Sequence, residues 1–544
     1  MRRSAGAFAG YLALSFLFFG LRVATHPGRS FVGVAPDPEL FIWSLAWWPY
    51  AVLHGVGPVV THWLWEPAGV NLAWATAVPG LAFALAPVTL LAGPVVSYNV
   101  AIVVLPALAA WTAFLLCREV TGAFWPSLAG GYCFGFSTYL VGQSLGHLHL
   151  DSVFVLPLIA LVVLRFVRRV YSARAFVWRL GALLALQFTL GTEVLFTATL
   201  ALVVAVALLR RRDLVAPVAA AYALSVVLVS PLVVYALEDF HRDTVNPVGT
   251  PPSDVLAFVL PTKLTWLGGR FAATALPTLP PLWAENGAYL GVPLLAIVAW
   301  LGWRRRTPGV RFLVAAFLLS ATATLGPWLE VRGHRLLPLP WLAVRDVPLF
   351  NNVITLRLSV YVALAAAVAV ALWSSLETVS RAVRVALVAA VVVTTFPNLT
   401  LDAWSTTPSR PAFFANELYR ECLPRGARVL VLPPPARSDA MLWQAEAAFY
   451  YRMASGAVSP EIPAGVPHRA TAVALYDNDL PRGGVRAIRA LLRAQHVDAV
   501  IAADAAWARR LRPLADPQRV GGVTLFSAQE PGPCPATIAE VTPS

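Results

Sequence analysis

The feature that most constrains this chain is a series of apolar stretches, each about 17 or more residues long, enough for a helix to cross about 30 Å of hydrocarbon. These stretches recur through residues 1–400 and then stop. Apolar residues make up 58% of the 544 residues and charged residues only 13%, well below the charged fraction of a typical soluble protein. The sequence therefore predicts an all-α, multi-spanning membrane domain over 1–400 and a separate soluble domain over 401–544.

The charges between the apolar stretches predict how the chain is threaded. We expect about eleven transmembrane helices, at residues 5–24, 98–117, 124–140, 153–167, 175–191, 194–209, 214–237, 287–303, 310–328, 355–374 and 384–400. With the N-terminus in the cytoplasm, arginine-bearing connections such as 165–174 and 304–311 fall on the cytoplasmic side, as the positive-inside rule requires. The C-terminal domain then lies outside the cytoplasm.

One apolar segment has to be excluded from the spans. Residues 77–93 are interrupted by prolines and glycines, and if they crossed the membrane every later arginine run would face outward. We interpret them as an interfacial or re-entrant segment of a long first external loop, 26–97. The same loop contains DPELFIWSLAWWPYAVLHG at 37–55, whose tryptophans predict a helix lying at the level of the lipid headgroups.

The net charge of +13 does not indicate a nucleic-acid partner. The arginines lie in short runs between apolar segments, whereas nucleic-acid binding requires a basic stripe on a soluble face. No metal-ligand spacing appears. Cys117 and Cys133 fall in apolar segments, while Cys422 and Cys534 both lie in the tail, where they either form a disulfide or stay free.

Ionisable residues at membrane level are costly, so each is a candidate for function. In this topology they gather on the external side: Asp37, Glu39, His147, His149, Asp151, Glu193, Arg242, Arg345 and Arg357. Structural interpretations stay open for several of them. Asp37 before a proline can be a helix cap, and Arg357 can extend to the headgroups. The two histidines, two residues apart, favour a solvated loop over a metal site.

The acidic pair Asp37-Pro38-Glu39 opens the first external loop, and the stretch 77–93 is followed by GPVVSYN and a span ending in Arg118. These features, over about residues 1–240, resemble the GT-C superfamily of polytopic glycosyltransferases, which use polyprenyl-phosphate-linked sugars. The resemblance implies a bacterial plasma (inner) membrane protein that transfers a hexosyl or pentosyl group to a glycan or lipid acceptor on the non-cytoplasmic face. It leaves the need for a divalent cation open.

The resemblance also assigns roles to the candidate residues. A carboxylate suits a general base, and a leaving phosphate needs cationic stabilisation. We expect Asp37 to be the base, with Glu39 as its support or as a metal partner. The remaining candidates would bind substrate, with Arg357, Arg345 or Arg242 on the lipid phosphate and His147, His149, Asp151 and Glu193 lining the cavity.

The tail, residues 401–544, contains only short apolar runs. RVLVLPPP and VDAVIAA are typical of buried strands and VRAIRALLRAQ of a helix, which indicates an α/β domain. This domain binds the acceptor, packs on the external loops or is purely structural.

Two other functions stay open for the whole chain: a non-catalytic scaffold of envelope assembly, and a lipid or polysaccharide flippase or transporter. The asymmetric loops, however, lack the internal repeat of many transporters.

Overall fold

The computed structural model describes residues 2–238, 254–271, 285–459, 461–527 and 534. The chain is mostly helical and divides into two compact units. The first unit comprises Met1–Thr25, Asn99–Ser230 and His241–Ser405, and the second comprises His26–Tyr98, Pro231–Phe240 and Thr406–Ser544. The segment predicted as the first external loop therefore clusters with the C-terminal residues.

Long apolar helices dominate the first unit. Its main helices are Arg2–Ser15, Pro94–Thr121, Phe124–Gly135, Val155–Val167, Ala173–Leu190, Thr192–Leu209, Val215–Leu228, Val292–Arg304, Pro308–Thr324, Ser359–Ser374 and Arg381–Thr395. Shorter helices lie at Thr138–Gln143, Leu148–Asp151 and Trp266–Phe271, and an antiparallel hairpin pairs Trp328–Val331 with His334–Pro338.

Four helical segments in the described part of the chain are long and apolar enough to cross a membrane: Pro94–Thr121, Leu148–Val167, Thr192–Leu209 and Thr355–Ser374. A fifth is added if the adjacent helices Arg212–Leu228 and Ser230–Glu238 form one broken span. The predicted total of about eleven spans stays a prediction, since other apolar helices, such as Val292–Arg304, are shorter.

Small residues allow the central helices of the first unit to approach closely. A Cβ atom at Gly135 would lie 2.6 Å from the Cα of Ala110, and one at Gly130 would lie 2.9 Å from the carbonyl oxygen of Ala367. The helix Phe124–Gly135 thus packs its glycines against both the helix Pro94–Thr121 and the helix Ser359–Ser374. Close backbone approach through small residues is a common way for membrane helices to associate.

Basic connections meet at one end of the first unit. Arg165 pairs with Glu119 at 2.8 Å, while Arg169 and Arg211 both pair with Asp213, at 3.3 and 2.6 Å. The helical ends near 119, 165–169 and 211–213 therefore lie together, as the positive-inside argument requires. Which side of the membrane this end faces stays a prediction.

The segment 77–93 forms two short helices, Pro79–Ala84 and Ala86–Ala92, of six and seven residues. At 1.5 Å per residue each is about 10 Å long, far short of the hydrocarbon thickness. Neither helix can cross a bilayer by itself. This is consistent with leaving the segment out of the spanning set.

The second unit contains a five-stranded mixed sheet with the strand order 452–453, 428–432, 499–502, 523–527, 517–520. The strands Arg452–Met453, Arg428–Leu432 and Ala499–Ala502 run parallel, and the last two join antiparallel. The helices are Asp37–Leu53, Pro79–Ala84, Ala86–Ala92, Ser230–Glu238, Ala412–Ala415, Tyr419–Cys422, Ala440–Glu446, Arg469–Tyr476, Gly484–Ala494 and Ala505–Arg510, and a two-stranded ladder pairs Val60–Thr61 with Val70–Asn71.

From their amphipathic character we expected the tryptophans of the helix Asp37–Leu53 to face lipid headgroups, but they do not. Trp43 and Trp47 are fully buried, and both rings pack edge-on against Phe449. The Trp43 indole also donates a 2.7 Å hydrogen bond to Gln444 Oε1. These side chains therefore form a protein core between the loop and the tail, and the interfacial interpretation of them is wrong.

The tail cysteines, for which pairing was left open, form a disulfide between Cys422 and Cys534. Cys117 and Cys133 are free and buried, as expected of small core residues. Disulfides persist in oxidising compartments and are rare in the cytosol.

Candidate functional site

A buried ionic cluster in the first unit is centred on Arg357. This residue lies in the 3-10 turn Thr355–Leu358, which leads directly into the helix Ser359–Ser374. Its Nε and Nη2 donate to one oxygen of Glu285 at 3.0 and 2.6 Å, and its Nη1 donates to Glu193 at 2.7 Å. Only 12% of the Arg357 side chain is exposed. The guanidinium is therefore clamped between two carboxylates rather than extended to headgroups.

Both histidines of the GHLHLD segment face this cluster. His147 Nδ1 lies 2.7 Å from the Gln143 side-chain oxygen and 3.8 Å from Glu285, and His149 Nε2 lies 3.9 Å from Glu193. The short helix Leu148–Asp151 turns the chain here and sets the two imidazole rings 6.1 Å apart. The expectation of a solvated loop is wrong, since His149 is buried.

Asp151 is buried beside the cluster but is held differently. Ser144 donates to its Oδ1 at 3.1 Å, and its Oδ2 has no hydrogen-bond partner among the described residues. Asp151 thus shares a turn with His149 without pairing with Arg357. No group of three or more histidine, cysteine or acidic side chains in the described ranges has the arrangement of a metal site.

Glu285 was not among the residues that the sequence predicted. Its segment is fixed because the Thr138 hydroxyl hydrogen-bonds to the carbonyls of Gly287 and Tyr289, at 3.0 and 2.6 Å. A Cβ atom at Gly287 would lie 2.7 Å from the Cα of Tyr139, so the two segments are in close contact. In the sequence, the only signal for Glu285 was its position as a carboxylate just before the predicted span 287–303.

The cluster lies at the end of its helices opposite the basic connections. His149 is in the first turn of the apolar segment Leu148–Val167, whose last turn carries the Arg165 that pairs with Glu119. The helix Thr192–Leu209, whose first turn carries Glu193, has 18 residues and is therefore about 27 Å long. The side chains of His147, His149, Glu193 and Arg357 therefore gather at the end of the helices away from the arginine runs, and their external location stays a prediction.

The other two predicted arginines do not join the cluster. Arg345 is 41% exposed and pairs at 3.3 Å with its neighbour Asp346. Arg242 lies outside the described residues. Of the three arginines predicted to hold a phosphate, Arg357 alone is placed by the described structure among buried charges.

The acidic pair lies in the second unit, in the first turn of the helix Asp37–Leu53. The helix begins at the exposed Asp37, with Pro36 in the capping position. Glu39 is fully buried, and burial, together with the neighbouring carboxylates of Asp439 and Glu446, raises the pKa of Glu39 to about 11. The role of Glu39 as a support for Asp37 or as a metal partner stays a prediction.

Solved structures share the fold of this chain. The cryo-EM structure of the arabinofuranosyltransferase AftD from Mycobacteria matches 98% of the chain with a TM-score of 0.60 at 14% identity. The crystal structure of the Archaeoglobus fulgidus oligosaccharyltransferase in its apo form matches 92% with a TM-score of 0.52 at 12% identity. The chain has a GT-C fold.

The chain spans 42% of the length of the arabinofuranosyltransferase and 69% of that of the oligosaccharyltransferase. At such low identities the similarity establishes the fold alone. No protein-family model matches the sequence, and no curated protein matches it significantly. The GT-C fold and the long apolar helices together identify a multi-pass membrane protein.

Proposed function

We propose that this protein is a membrane glycosyltransferase that moves a sugar from a polyprenyl-phosphate donor to an acceptor on the non-cytoplasmic face. The observation that carries the proposal is the buried Arg357, set among Glu193, Glu285 and two histidines in a GT-C fold. A leaving phosphate is stabilised most strongly by a preorganised cation in a water-poor site. Arg357 supplies that cation.

The pairing of Arg357 explains how a phosphate would enter. Arginine binds phosphates bidentately through two parallel N–H groups. The Nε and Nη2 groups of Arg357 both donate to a single oxygen of Glu285, whereas Glu193 takes only Nη1. A donor phosphate would therefore replace Glu285 on this edge and leave Glu193 in place to hold the guanidinium.

Asp37 is the proposed general base, a role taken from the family resemblance of Asp37-Pro38-Glu39. Its carboxylate is exposed in the first turn of its helix, where an ionised acid is favoured by the helix dipole. Glu39, buried two residues later, would anchor that turn rather than act on substrate. Asp37 belongs to the second unit, so its role rests on chemistry and resemblance.

Two observations support an extracytoplasmic second unit. The disulfide Cys422–Cys534 suits an oxidising compartment. The ion-paired arginine connections of the first unit suit the cytoplasmic side. The proposed location is a bacterial plasma membrane, since the similarity to a mycobacterial enzyme favours a bacterial setting.

The test is donor turnover by the purified full-length protein. The donor panel starts with polyprenyl-phosphate arabinofuranose, because AftD is an arabinofuranosyltransferase, and continues through hexoses. The native protein is compared with Asp37→Asn and with the exposed control Asp346→Asn. We expect turnover that Asp37→Asn abolishes and the control retains. Equal turnover by Asp37→Asn would reject the base, and no turnover of any donor would favour the scaffold.

A further inference from the structure

A cleft of about 420 Å³ lies in the second unit, beside the five-stranded sheet. One wall begins at Ala502, the last residue of the strand Ala499–Ala502, and continues through Asp504 into the helix Ala505–Arg510. The other wall is the turn end of the hairpin that joins Pro517–Val520 to Val523–Ser527, with lining residues between Pro517 and Thr524. Its tight turn uses Gly521 and Gly522, whose φ values of 53° and 86° favour glycine.

The position of this cleft in the sheet is one where ligands commonly bind. The strand Ala499–Ala502 runs parallel to Arg428–Leu432 and antiparallel to Val523–Ser527, so the sheet changes direction at this strand. The cleft lies at the carboxyl end of Ala499–Ala502. In open α/β sheets, ligands bind outside the carboxyl ends of the parallel strands, and Ala499–Ala502 is one of the parallel strands of this sheet. A volume of about 420 Å³ is also within the range of small-molecule sites.

The lining of the cleft is strongly basic. It contains Arg509, Arg512 and Arg519 and a single acid, Asp504, so its formal charge is +3 − 1 = +2. None of the three arginines donates a side-chain hydrogen bond to the described residues or forms an ion pair with them. One oxygen of Asp504 is already hydrogen-bonded, since Oδ1 accepts from the Trp507 amide at 2.6 Å. These three exposed guanidinium groups give the cleft a positive field, which attracts an anion.

We propose that this cleft binds a phosphorylated sugar. Arginine guanidinium groups match the oxygens of a phosphate bidentately. Asp504 Oδ2 and the Thr524 hydroxyl supply hydrogen-bonding groups of the kind that recognise sugar hydroxyls. Because the site is built entirely from the second unit, it does not rest on the proposed transferase activity or on the cluster around Arg357.

The phosphate of a membrane lipid offers similar chemistry to the same arginines. The experiment therefore compares three probes: glucose 6-phosphate, inorganic phosphate and vesicles containing phosphatidylglycerol. Binding to the full-length protein in detergent is measured by titration calorimetry, with vesicle flotation of protein in nanodiscs for the lipid. We expect glucose 6-phosphate to bind more tightly than inorganic phosphate, and unphosphorylated glucose not to bind.

A matched pair of triple variants locates the site. Arg509→Gln/Arg512→Gln/Arg519→Gln neutralises the cleft, and Arg425→Gln/Arg482→Gln/Arg486→Gln removes the same charge from exposed positions outside it. We expect the cleft variant to bind glucose 6-phosphate about tenfold or more weakly, because it loses charge-assisted hydrogen bonds.

Three results would overturn the proposal. The first is an equal loss of affinity in both triple variants, which would mean that net charge alone attracts the probe. The second is the absence of glucose 6-phosphate binding to the native protein. The third is a cleft-dependent affinity for vesicles without affinity for the sugar phosphate. All three arginines are exposed, so their replacement should not disturb folding. Thermal unfolding of the single variant Arg512→Gln checks this, and the proposal also requires that this variant bind glucose 6-phosphate more weakly.

Discussion

Removing the guanidinium of Arg357 tests the ionic cluster most directly. The variant Arg357→Met keeps a side chain of similar length but leaves Glu193 and Glu285, whose side chains are 22% and 6% exposed, without their cation. Breaking a buried ion pair from one side costs about 3–5 kcal/mol, because the remaining charge stays desolvated and unpaired. Two carboxylates depend on the same cation here, so we expect a loss at the upper end of that range.

The triple variant Arg357→Met/Glu193→Gln/Glu285→Gln separates charge from packing. It removes both unpaired carboxylates with the cation, so most of the lost stability should return. Arg345→Met is the matched control, since Arg345 and Asp346 are 41% and 72% exposed. An exposed pair contributes about 1 kcal/mol or less, so this variant should resemble the native protein.

The assay is unfolding of the purified protein in detergent, followed by intrinsic fluorescence as temperature or denaturant rises. The expected order of stability is native, then Arg345→Met, the triple variant and finally Arg357→Met. The interpretation fails if Arg357→Met is as stable as Arg345→Met, which would mean that the carboxylates are hydrated. It also fails if the triple variant is as unstable as Arg357→Met, which would place the loss in packing.

Three further predictions concern other residues. Glu39 has a pKa of about 11 in the folded protein against 4.5 ordinarily, so between these values the folded state holds a proton that the unfolded state has lost, and stability falls as pH rises from about 4.5 towards about 11. Glu39→Gln should flatten this slope in thermal unfolding, whereas the exposed Glu421→Gln should not. Maleimide should label two of the four cysteines in the denatured, unreduced protein and all four after reduction, and four labels before reduction would contradict the disulfide. The variant Glu285→Gln should bind polyprenyl phosphate more tightly than the native protein in a direct binding assay. The reason is that the Glu285 carboxylate, which competes with the phosphate for Arg357, is then replaced by a neutral amide. Weaker binding would mean that Glu285 contacts the ligand.

The membrane class could be predicted from sequence because it depends on local hydropathy alone. Helices such as Pro94–Thr121 and Leu148–Val167 were predicted to within a few residues, since apolar length determines them. Hydropathy could not predict what the aromatic side chains of residues 37–55 pack against. Trp43 and Trp47 are covered by Phe449, about four hundred residues later in the chain, and hydropathy cannot distinguish a headgroup from a protein partner.

The candidate site was predicted in part. His147, His149, Glu193 and Arg357 were selected because each is expensive at membrane level and all fall on one predicted side. Their mutual pairing was not visible, because Arg357 meets Glu193 across 164 residues and Glu285 across 72. Arg345 was selected for the same reason, but it lies on an exposed turn and forms an ion pair with the neighbouring Asp346.

The charge balance of the cluster limits how it can bind a phosphate. Arg357 contributes +1 and its two carboxylate partners −2, so the three groups sum to −1 before any ligand arrives. A phosphate added to this arrangement would bring a further negative charge into a low-dielectric site, where like charges repel strongly. Binding therefore requires Glu285 to leave the guanidinium or to take up a proton. His147, 3.8 Å from Glu285, is the group placed to receive the displaced carboxylate. The carboxylate of Glu285, which holds the Arg357 guanidinium in this structure, would thus turn to His147 when the donor phosphate binds.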